Sequence, residues 1–276
     1  MVGMGLLARM RSFHRRRIDI PVDRDALVLD VGSGDKPHWR ADVLVDRFPD
    51  AQFASQRSGR HAARVDRPLF DVDAGELPFV DGAFDYAICS HMLEHVLDPA
   101  AVVAELTRVA RAGYIEVPEA ASAKIVDFPS HLWWCRLEDD TLVFEAKQQA
   151  WFDDDIHRFL DASGLEQRLG RLLDKDLDHR VIGLRWQGRV PCHVIGTPDP
   201  ALVAQAARAD ADHRVVESYA ARWVTRLWTL PLRSRRRRAG VSFNQIMAPR
   251  WQRTVDEALR PGVYRLDADQ ESKASK

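Results

Sequence analysis

Short apolar runs recur along the first half of the chain, and the first of them ends at a pair of glycines. Residues 26–31 form a continuous apolar run that contains one acid, Asp30, and the run stops at Gly32, Ser33 and Gly34. Such a run is typical of a strand buried on both faces of a parallel sheet. Three further strands are predicted at residues 43–45, 84–89 and 113–117.

A helix is predicted between the last two of these strands. Residues 100–111 place Val103, Leu106 and Val109 at spacings of three, and Asp98 and Pro99 precede them. An N-cap acid followed by proline satisfies orphan amides and presets the first helical φ angle. Strands that alternate with helices predict an α/β fold with a Rossmann-like, doubly wound and mostly parallel sheet.

The pattern changes after Pro118, where paired β-prone stretches replace the alternation. A hairpin is predicted from residues 132–137 and 141–145, and a second from 181–186 and 190–195 around Gln187 and Gly188. From Pro200 onwards the chain is predicted to be wholly helical, with one helix ending at Pro231 and a last one carrying Phe243, Met247, Trp251 and Val255.

These elements predict four regions. They are a basic N-terminal segment (1–20), a catalytic domain (21–199) with an insertion at 119–150, a helical basic extension (200–266) and a disordered tail (267–276).

Composition narrows the class of protein. The 276 residues are 46% hydrophobic, and 40 basic against 41 acidic residues give a net charge of −1. These values exclude a disordered chain, a collagen-like fibre and a uniformly basic nucleic-acid binder. Cys89, Cys135 and Cys192 lie too far apart in sequence for a CxxC metal pair or a disulfide framework, so a reduced, cytoplasmic protein is expected. No apolar run approaches the roughly 18 residues of a transmembrane helix.

The near-neutral charge hides two basic segments. Residues 1–17 hold five arginines and residues 222–238 hold seven, with no acid in either, so the remainder carries a net charge of −13. Basic segments interleaved with apolar residues suit an anionic membrane surface, which predicts peripheral attachment at the inner membrane face. The alternative is that the apolar stripes belong to the core and the arginines are solvated or paired. The aromatic sheet motifs of RNA-binding modules are missing, so no nucleic-acid partner is expected.

A strand, a glycine turn and an acid after the next strand predict a nucleotide-cofactor site at the carboxyl edge of the sheet. Asp46 is placed to accept both hydrogen bonds of a ribose diol. Pro37 stands where a dinucleotide fingerprint needs its third glycine, which disfavours NAD and a dehydrogenase. Asp30 fits poorly beside a phosphate but well beside the ammonium of an amino-acid-bearing cofactor.

Three ordered motifs carry a family resemblance. They are Asp30-Val-Gly-Ser-Gly34, the segment from Asp73 to Asp85, and Ser90-His-Met-Leu-Glu-His95 with the following Asp98 and Pro99. Together they resemble the class I S-adenosylmethionine-dependent methyltransferases, in particular their type 11 subgroup. The resemblance is good over residues 26–118, loose to about residue 197 and absent afterwards.

The resemblance implies S-adenosyl-L-methionine as the cofactor and assigns its contacts. Asp30, Gly32, Ser33 and Gly34 would line its methionine half, Asp46 its ribose, Asp73 and Ala74 its adenine, and Ser90 and His91 would face the sulfonium and the acceptor. Two departures stand out. Lys36 replaces the usual third glycine, and only fourteen residues separate Gly32 from Asp46, so the first crossover helix must be short or irregular.

The reaction that follows is in-line displacement at a methyl carbon, which needs a base only for a hydroxyl acceptor. The candidate bases are His91, His95 and His131, with His91 and His131 preferred as catalytic residues. His95 is equally suited to helix packing, and Glu94 is interpreted as a surface or capping carboxylate. Residues 153–155 are three consecutive acids and are interpreted as a solvated helix start rather than a metal site, so no metal is predicted.

His131 precedes Leu132, Trp133 and Trp134 in the predicted insertion, where class I methyltransferases commonly build the acceptor pocket. Indole rings suit the C–H faces of sugars, but two tryptophans also make an ordinary small core. The favoured hypothesis is O-methylation of a sugar or lipid-linked glycan. The alternatives are methylation of a small aromatic or quinone-like metabolite, and a non-catalytic S-adenosylmethionine-binding protein. The oligomeric state is not predicted.

Overall fold

A computed structural model of the protein describes residues 6–52, 61–126, 128, 130–149, 151, 153–173, 177–208, 227–231 and 240–266. Its strands are β1 (Val28–Val31), β2 (Val43–Val45), β3 (Pro68–Asp71), β4 (Phe84–Ser90), β5 (Ala110–Pro118), β6 (Trp133–Glu138), β7 (Thr141–Ala146), β8 (Val181–Gln187), β9 (Cys192–Ile195) and β10 (Gly262–Arg265).

The helices comprise α1 (Leu6–Arg17), α2 (Pro99–Val109), α3 (Ala120–Ile125), α4 (Asp154–Ala162), α5 (Leu165–Leu173), α6 (Leu177–Arg180), α7 (Pro200–Arg208) and α8 (Phe243–Ile246). Short 3₁₀ helices lie at Leu93–His95 and Pro249–Trp251. No helix among the described residues is long and apolar enough to cross a membrane.

The main sheet has seven strands in the order β10-β3-β2-β1-β4-β5-β8. Six of them run parallel, and β8 is antiparallel to β5. The prediction of a doubly wound, mostly parallel α/β sheet is therefore confirmed. The strand order reverses between β1 and β4, and in open α/β sheets ligands bind beside the carboxyl ends of the strands at this point.

Both faces of the main sheet are covered, which is why its strands are almost continuously apolar. On one face Leu29 and Val31 pack with Val103 and Leu106 of α2 in a single core. On the other face Val28, Leu44 and Leu69 form a second core, against which Ile20 and Val22 of the N-terminal segment pack. Alternating residues of one strand thus anchor two separate layers.

The connection from β1 to β2 contains no helix; residues 32–42 form turns and irregular chain. The expectation of a short or irregular crossover is thereby confirmed. Arg40 is buried within it and replaces helical packing with hydrogen bonds. Its guanidinium donates to the Ala26 carbonyl at 2.7 Å and to Asp42 Oδ2 at 2.8 Å. These bonds hold the short connection against the amino end of β1.

The predicted helix start and first hairpin are confirmed. Asp98 caps α2 by accepting from the Ala101 amide at 2.9 Å, with Pro99 in the first turn. Strands β6 and β7 form an antiparallel hairpin. Asp153 caps α4, accepting from the amides of Asp155 and Ile156, so the interpretation of residues 153–155 as a helix start is also confirmed.

The second predicted hairpin is wrong, although both of its strands exist. β8 pairs with β5 at the edge of the main sheet, whereas β9 pairs in parallel with β7 in a separate three-stranded sheet. Packing decides the outcome: a Cβ on Gly113 of β5 would lie 2.5 Å from the Trp186 ring, so the indole of β8 lies directly over that glycine. Pairing of β8 with β5 buries this indole, which stabilises the pairing, whereas a hairpin of β8 with β9 would not place the indole on Gly113.

The prediction that the chain is wholly helical after Pro200 is wrong at its end. The last helix stops after one turn, at Ile246, and residues 262–265 form β10, which pairs in parallel with β3. Both β3 and β10 are absent from the sequence-based prediction. Residues 227–231 are helical, and Trp228 contacts the Phe13 ring of α1 with centroids 6.2 Å apart. The rest of the predicted helix after residue 208, most of the second basic segment and the tail lie outside the described residues.

Candidate functional site

The glycine turn after β1 meets the ends of two neighbouring strands. The amides of Gly32 and Ser33 donate to the Val45 carbonyl at 2.9 and 3.1 Å, and the Gly34 amide donates to Asp46 Oδ2 at 2.5 Å. Gly32 has a φ of 75°, and a Cβ there would lie 2.6 Å from Cγ of Met92. Only glycine allows this approach. The structure therefore brings Gly32, Ser33, Gly34 and Asp46 together.

Asp30 lies immediately before this turn, near the end of β1, and is 5% exposed. Its Oδ2 accepts from the His38 amide at 2.6 Å. Burial raises the pKa of Asp30 to about 6, while the His38 amide and the charge of Arg67 act in the opposite direction. A cationic group at this position would stabilise the ionised carboxylate.

Two buried polar atoms in the same turn lack hydrogen-bond partners among the described residues, Ser33 Oγ and Asp35 Oδ2. Buried polar atoms without partners are rare in folded proteins and mark places where a ligand or water is accommodated. Together with Asp30 and Asp46, they form a donor and acceptor set that fits a cofactor with an amino-acid group and a ribose. The residues present therefore fit S-adenosylmethionine.

Asp73 and Ala74 follow β3, one strand beyond Asp46 in the sheet. Asp73 is exposed, accepts from the Gly75 amide at 2.8 Å and pairs with Arg47 at 2.5 Å. Ala74 is partly buried against the main core. Both residues lie at the carboxyl edge, where the resemblance requires them. The pairing with Arg47 means that an adenine at Asp73 would share that carboxylate with an exposed guanidinium.

Ser90 and His91 stand at the end of β4, and both contact Glu116 of β5. Ser90 Oγ donates to Glu116 Oε1 at 3.2 Å. His91, with a φ of 54°, directs Nε2 to Glu116 Oε1 at 3.0 Å and Nδ1 to Glu94 Oε1 at 3.3 Å. Burial opposes the charged ring, but hydrogen bonds to Glu116 and Glu94 outweigh it and raise the pKa of His91 to about 9.

Glu116 is the central residue that the sequence analysis missed. Its side chain is 1% exposed and accepts a bidentate interaction from Arg16 of α1, at 2.7 Å from Nε and 2.6 Å from Nη2. Tyr114 donates a further hydrogen bond at 2.5 Å. Burial alone would raise the pKa of Glu116, but hydrogen bonds from His91 and Arg16 hold it well below its usual range. An acid inside a buried strand needs such partners, and this signal was available in the sequence.

The N-terminal segment is thus attached to the site. Besides the Arg16 contact, the Arg17 carbonyl accepts hydrogen bonds from His38 Nε2 at 3.1 Å and Trp39 Nε1 at 2.9 Å. Arg185 of β8 donates to the carbonyls of Arg15 and Asp19. One of the predicted basic segments therefore has at least one arginine committed to an internal ion pair, as the alternative interpretation of these segments expects.

Glu94, His95 and His131 form a second cluster beside His91. Glu94 is fully buried, so its interpretation as a surface carboxylate is wrong. The rings of His95 and His131 meet edge to face, with centroids 4.8 Å apart. His131 is 8% exposed, and burial holds its pKa well below the usual range. The three candidate histidines therefore converge on one glutamate.

The tryptophans after His131 belong to the interior. Trp133 is 2% exposed and donates to the Val96 carbonyl at 2.8 Å. Trp134 packs against Ala120 and Ala123, with Lys147 Nζ 4.5 Å from the centre of its ring. Neither indole offers an open face, so of the two interpretations of these residues the packing one describes the structure.

Comparison with known proteins identifies the domain that contains this site. A family model described as a methyltransferase domain matches residues 43–115, from the start of β2 into β5. Residues 43–115 are thus similar to a methyltransferase domain. The match includes Asp46, Asp73, Ala74, Ser90 and His91 and begins after the glycine turn. Over these residues it agrees with the resemblance to S-adenosylmethionine-dependent methyltransferases that the sequence motifs predict.

Individual relatives of the methyltransferase domain cover part of the chain. A demethylmenaquinone methyltransferase of Paenarthrobacter aurescens strain TC1 is 30% identical over 114 residues, which are 41% of this chain and 45% of the relative. The chain thus spans about half the length of this curated relative.

Among solved structures, a possible histamine N-methyltransferase of Thermotoga maritima is 20% identical, with 41% of this chain and 52% of that one covered and a TM-score of 0.30. A putative methyltransferase of Bacillus halodurans C-125 is 18% identical, with coverages of 64% and 94% and a TM-score of 0.34.

Proposed function

We propose that the protein transfers a methyl group from S-adenosylmethionine to a hydroxyl group of a small, non-protein acceptor. The observation that carries the proposal is the convergence of the glycine turn, Asp46 and the partnerless polar atoms of Ser33 and Asp35 at the reversal point of the sheet. The methyltransferase domain match to residues 43–115 supports it.

Four groups would hold the cofactor. The carboxylate of Asp30 would face its ammonium, and the backbone of residues 32–34 would lie along its methionine half. Asp46 fixes the glycine turn through Oδ2 and would accept from the ribose hydroxyls. Asp73 and Ala74 would contact the adenine. When bound, S-adenosylmethionine supplies an activated methyl group, so the protein's task is chiefly alignment and exclusion of water.

The acceptor would lie beyond the end of β4, beside the two histidines predicted to be catalytic. Both ring nitrogens of His91 face carboxylates, Glu116 and Glu94, so His91 is held rigidly and would orient the acceptor. His131 keeps Nδ1 without a partner among the described residues. A neutral imidazole can donate this lone pair to an electrophile, either the proton of the acceptor hydroxyl or a metal ion.

Two observations bear on the proposed acceptor class. Stacking of a sugar on Trp133 or Trp134 requires an open indole face, and both rings are buried. The partial relative is named for a quinone-type acceptor. We therefore favour an aromatic or quinone-like acceptor, with a sugar or lipid-linked glycan as the competing class.

The test combines product detection with cofactor binding. The purified protein is incubated with methyl-deuterated S-adenosylmethionine and separate pools of quinols, catechols, nucleotide sugars and lipid-linked glycans, and products are followed by mass spectrometry. Deuterated methyl in the quinol or catechol pool is expected. Label only in a glycan pool would overturn the acceptor class, and tight cofactor binding with no product in any pool would favour a non-catalytic binding protein.

A pair of variants tests the cofactor site itself. Asp46→Ala should weaken S-adenosylmethionine binding severely, because it removes both the ribose acceptor and the anchor of Gly34. Asp155→Ala is the matched control, since Asp155 lies in α4 with its side chain 89% exposed. Equal affinities for the two variants would remove Asp46 from the site.

A further inference from the structure

Glu94, His95 and His131 place three metal-ligand atoms, one from each side chain, within 4.8 Å of one another. Glu94 and His95 come from the 3₁₀ helix Leu93–His95 after β4, and His131 from the loop before β6. Leu132 ties the two together, because its amide donates to the Glu94 carbonyl at 2.8 Å. A backbone hydrogen bond therefore joins the two elements that carry the cluster.

Two atoms of the cluster are buried without a hydrogen-bond partner among the described residues, Glu94 Oε2 and His131 Nδ1. A buried polar atom in this state loses its hydrogen bonds to water and gains none in return, so it marks a place where a ligand can bind. Glu94 Oε1 lies 3.9 Å from His95 Nε2, which is beyond hydrogen-bond distance. The three side chains thus lie close together, but these two atoms receive no hydrogen bond from the other members of the cluster.

His95 has the orientation of a metal ligand. Its Nδ1 lies 2.9 Å from the Ser130 carbonyl, which can only accept, so Nδ1 carries the hydrogen. The lone pair is then on Nε2, which lies 3.9 Å from Glu94 Oε1. Metal-bound histidines commonly donate their second ring N–H to a backbone carbonyl, which fixes the tautomer. The Ser130 contact therefore prepares Nε2 for an electrophile.

From these contacts we propose that Glu94, His95 and His131 bind a divalent transition-metal ion, with Zn²⁺ the best fit. Two imidazoles and one carboxylate are a known donor set for catalytic zinc, which keeps a fourth position open. Metal–ligand bonds of about 2.0–2.2 Å place neighbouring ligand atoms about 3.4 Å apart. Closing the cluster onto an ion thus needs movements of about 1 Å.

The open position would have a role that rests on the function proposed above. His91 Nδ1 lies 3.3 Å from Glu94 Oε1, so the metal site and the proposed acceptor site share one carboxylate. A metal ion here would coordinate the acceptor hydroxyl and lower its pKa, so that its proton could pass to solvent water. The oxygen–methyl bond would then form as the sulfur–methyl bond of the cofactor breaks, and S-adenosylhomocysteine would leave. Mg²⁺ prefers oxygen ligands and should bind poorly.

The binding test uses the full chain and needs neither cofactor nor acceptor. Protein stripped with a chelator is titrated with Zn²⁺ by calorimetry, and Co²⁺ is added separately to record the visible absorption of a tetrahedral site. One equivalent of Zn²⁺ should bind, with at least a tenfold loss of affinity in His131→Ala and His95→Gln. His193→Ala is the matched control, because His193 is exposed on β9, outside the cluster.

The outcomes are distinguishable. Zn²⁺ affinity equal in His131→Ala, His95→Gln and His193→Ala would overturn the site. If His131→Ala fails to fold by circular dichroism, His95→Gln alone decides, since His95 is 38% exposed and tolerates a polar replacement. Specific binding of Zn²⁺ with methyl transfer that persists in chelator would retain the site and overturn its catalytic role. Failure to find any acceptor would leave the binding result unaffected.

Discussion

Replacing Asp30 by asparagine should abolish a pH dependence of cofactor affinity that the wild-type protein shows between pH 5 and 7. The pKa of Asp30 is raised to about 6, chiefly by burial. With this pKa, about one tenth of the Asp30 carboxyl groups are protonated at pH 7 and about nine tenths at pH 5. Only the ionised carboxylate attracts the cofactor's ammonium. The apparent affinity should therefore fall about tenfold over this range.

The assay is calorimetric titration with S-adenosylmethionine at pH 5, 6 and 7. The cofactor's own amino group titrates near pH 8, above this window. Asp30→Asn should bind more weakly at pH 7 and show a flat profile, because it keeps the acceptor for the His38 amide but carries no charge. Asp155→Asn should reproduce the wild-type profile. A flat wild-type profile, or a sloping one in Asp30→Asn, would refute the assignment of Asp30 to the ammonium.

Three further outcomes are expected. Arg16→Met should lower the free energy of unfolding by about 3 kcal/mol in urea titrations, since it leaves the buried carboxylate of Glu116 without this partner. Adding Glu116→Gln should restore part of that loss, and additive effects of the two substitutions would contradict this coupling. Gly113→Ala should lower the free energy of unfolding by about 1–3 kcal/mol in the same titrations, because its Cβ would lie 2.3 Å from the Ala87 carbonyl oxygen. Gly170→Ala, with open space around its Cβ, should leave that free energy unchanged or raise it. We also propose that the basic segments bind anionic vesicles. Replacing the exposed Arg11 and Arg15 by glutamine should weaken binding to phosphatidylserine vesicles about 30-fold in a sedimentation assay, at about 1 kcal/mol for each arginine. Equal binding by the wild-type protein and this double variant would place the contact elsewhere.

The central strands could be predicted from sequence because each is buried on both faces and is bounded by turn residues. β3 and β10 could not, since each contains only two consecutive apolar residues, Leu69 and Phe70 in β3 and Val263 and Tyr264 in β10. The second hairpin was wrong for a tertiary reason. Local turn residues favoured pairing of β8 with β9, but the exposed edge of β5 beside Gly113 offered Trp186 a larger buried contact.

Site residues divide in the same way. Asp30, Asp46 and the glycine turn follow strands directly, so their meeting at one edge follows from the strand order. Glu116 acts through Arg16, 100 positions earlier in the chain. The proposed metal-ligand cluster joins Glu94 to His131 across α2, β5 and α3. A local sequence pattern does not predict such long-range contacts. A glutamate within a buried strand does indicate a cationic partner, however, and a basic segment without acids indicates an anionic one.

The pairing of β10 with β3 has a consequence for how the protein is made. Arg265, in the last strand, bonds Asp71 from 194 residues away and also holds Asp50 at 2.9 Å. During synthesis the β3 edge leaves the ribosome long before the segment that covers it, and an uncovered parallel edge is a template for association with other chains. Ribosome-stalled or truncated chains that end before Gly262 should therefore depend on chaperones and aggregate readily, while chains that contain β10 should do so less.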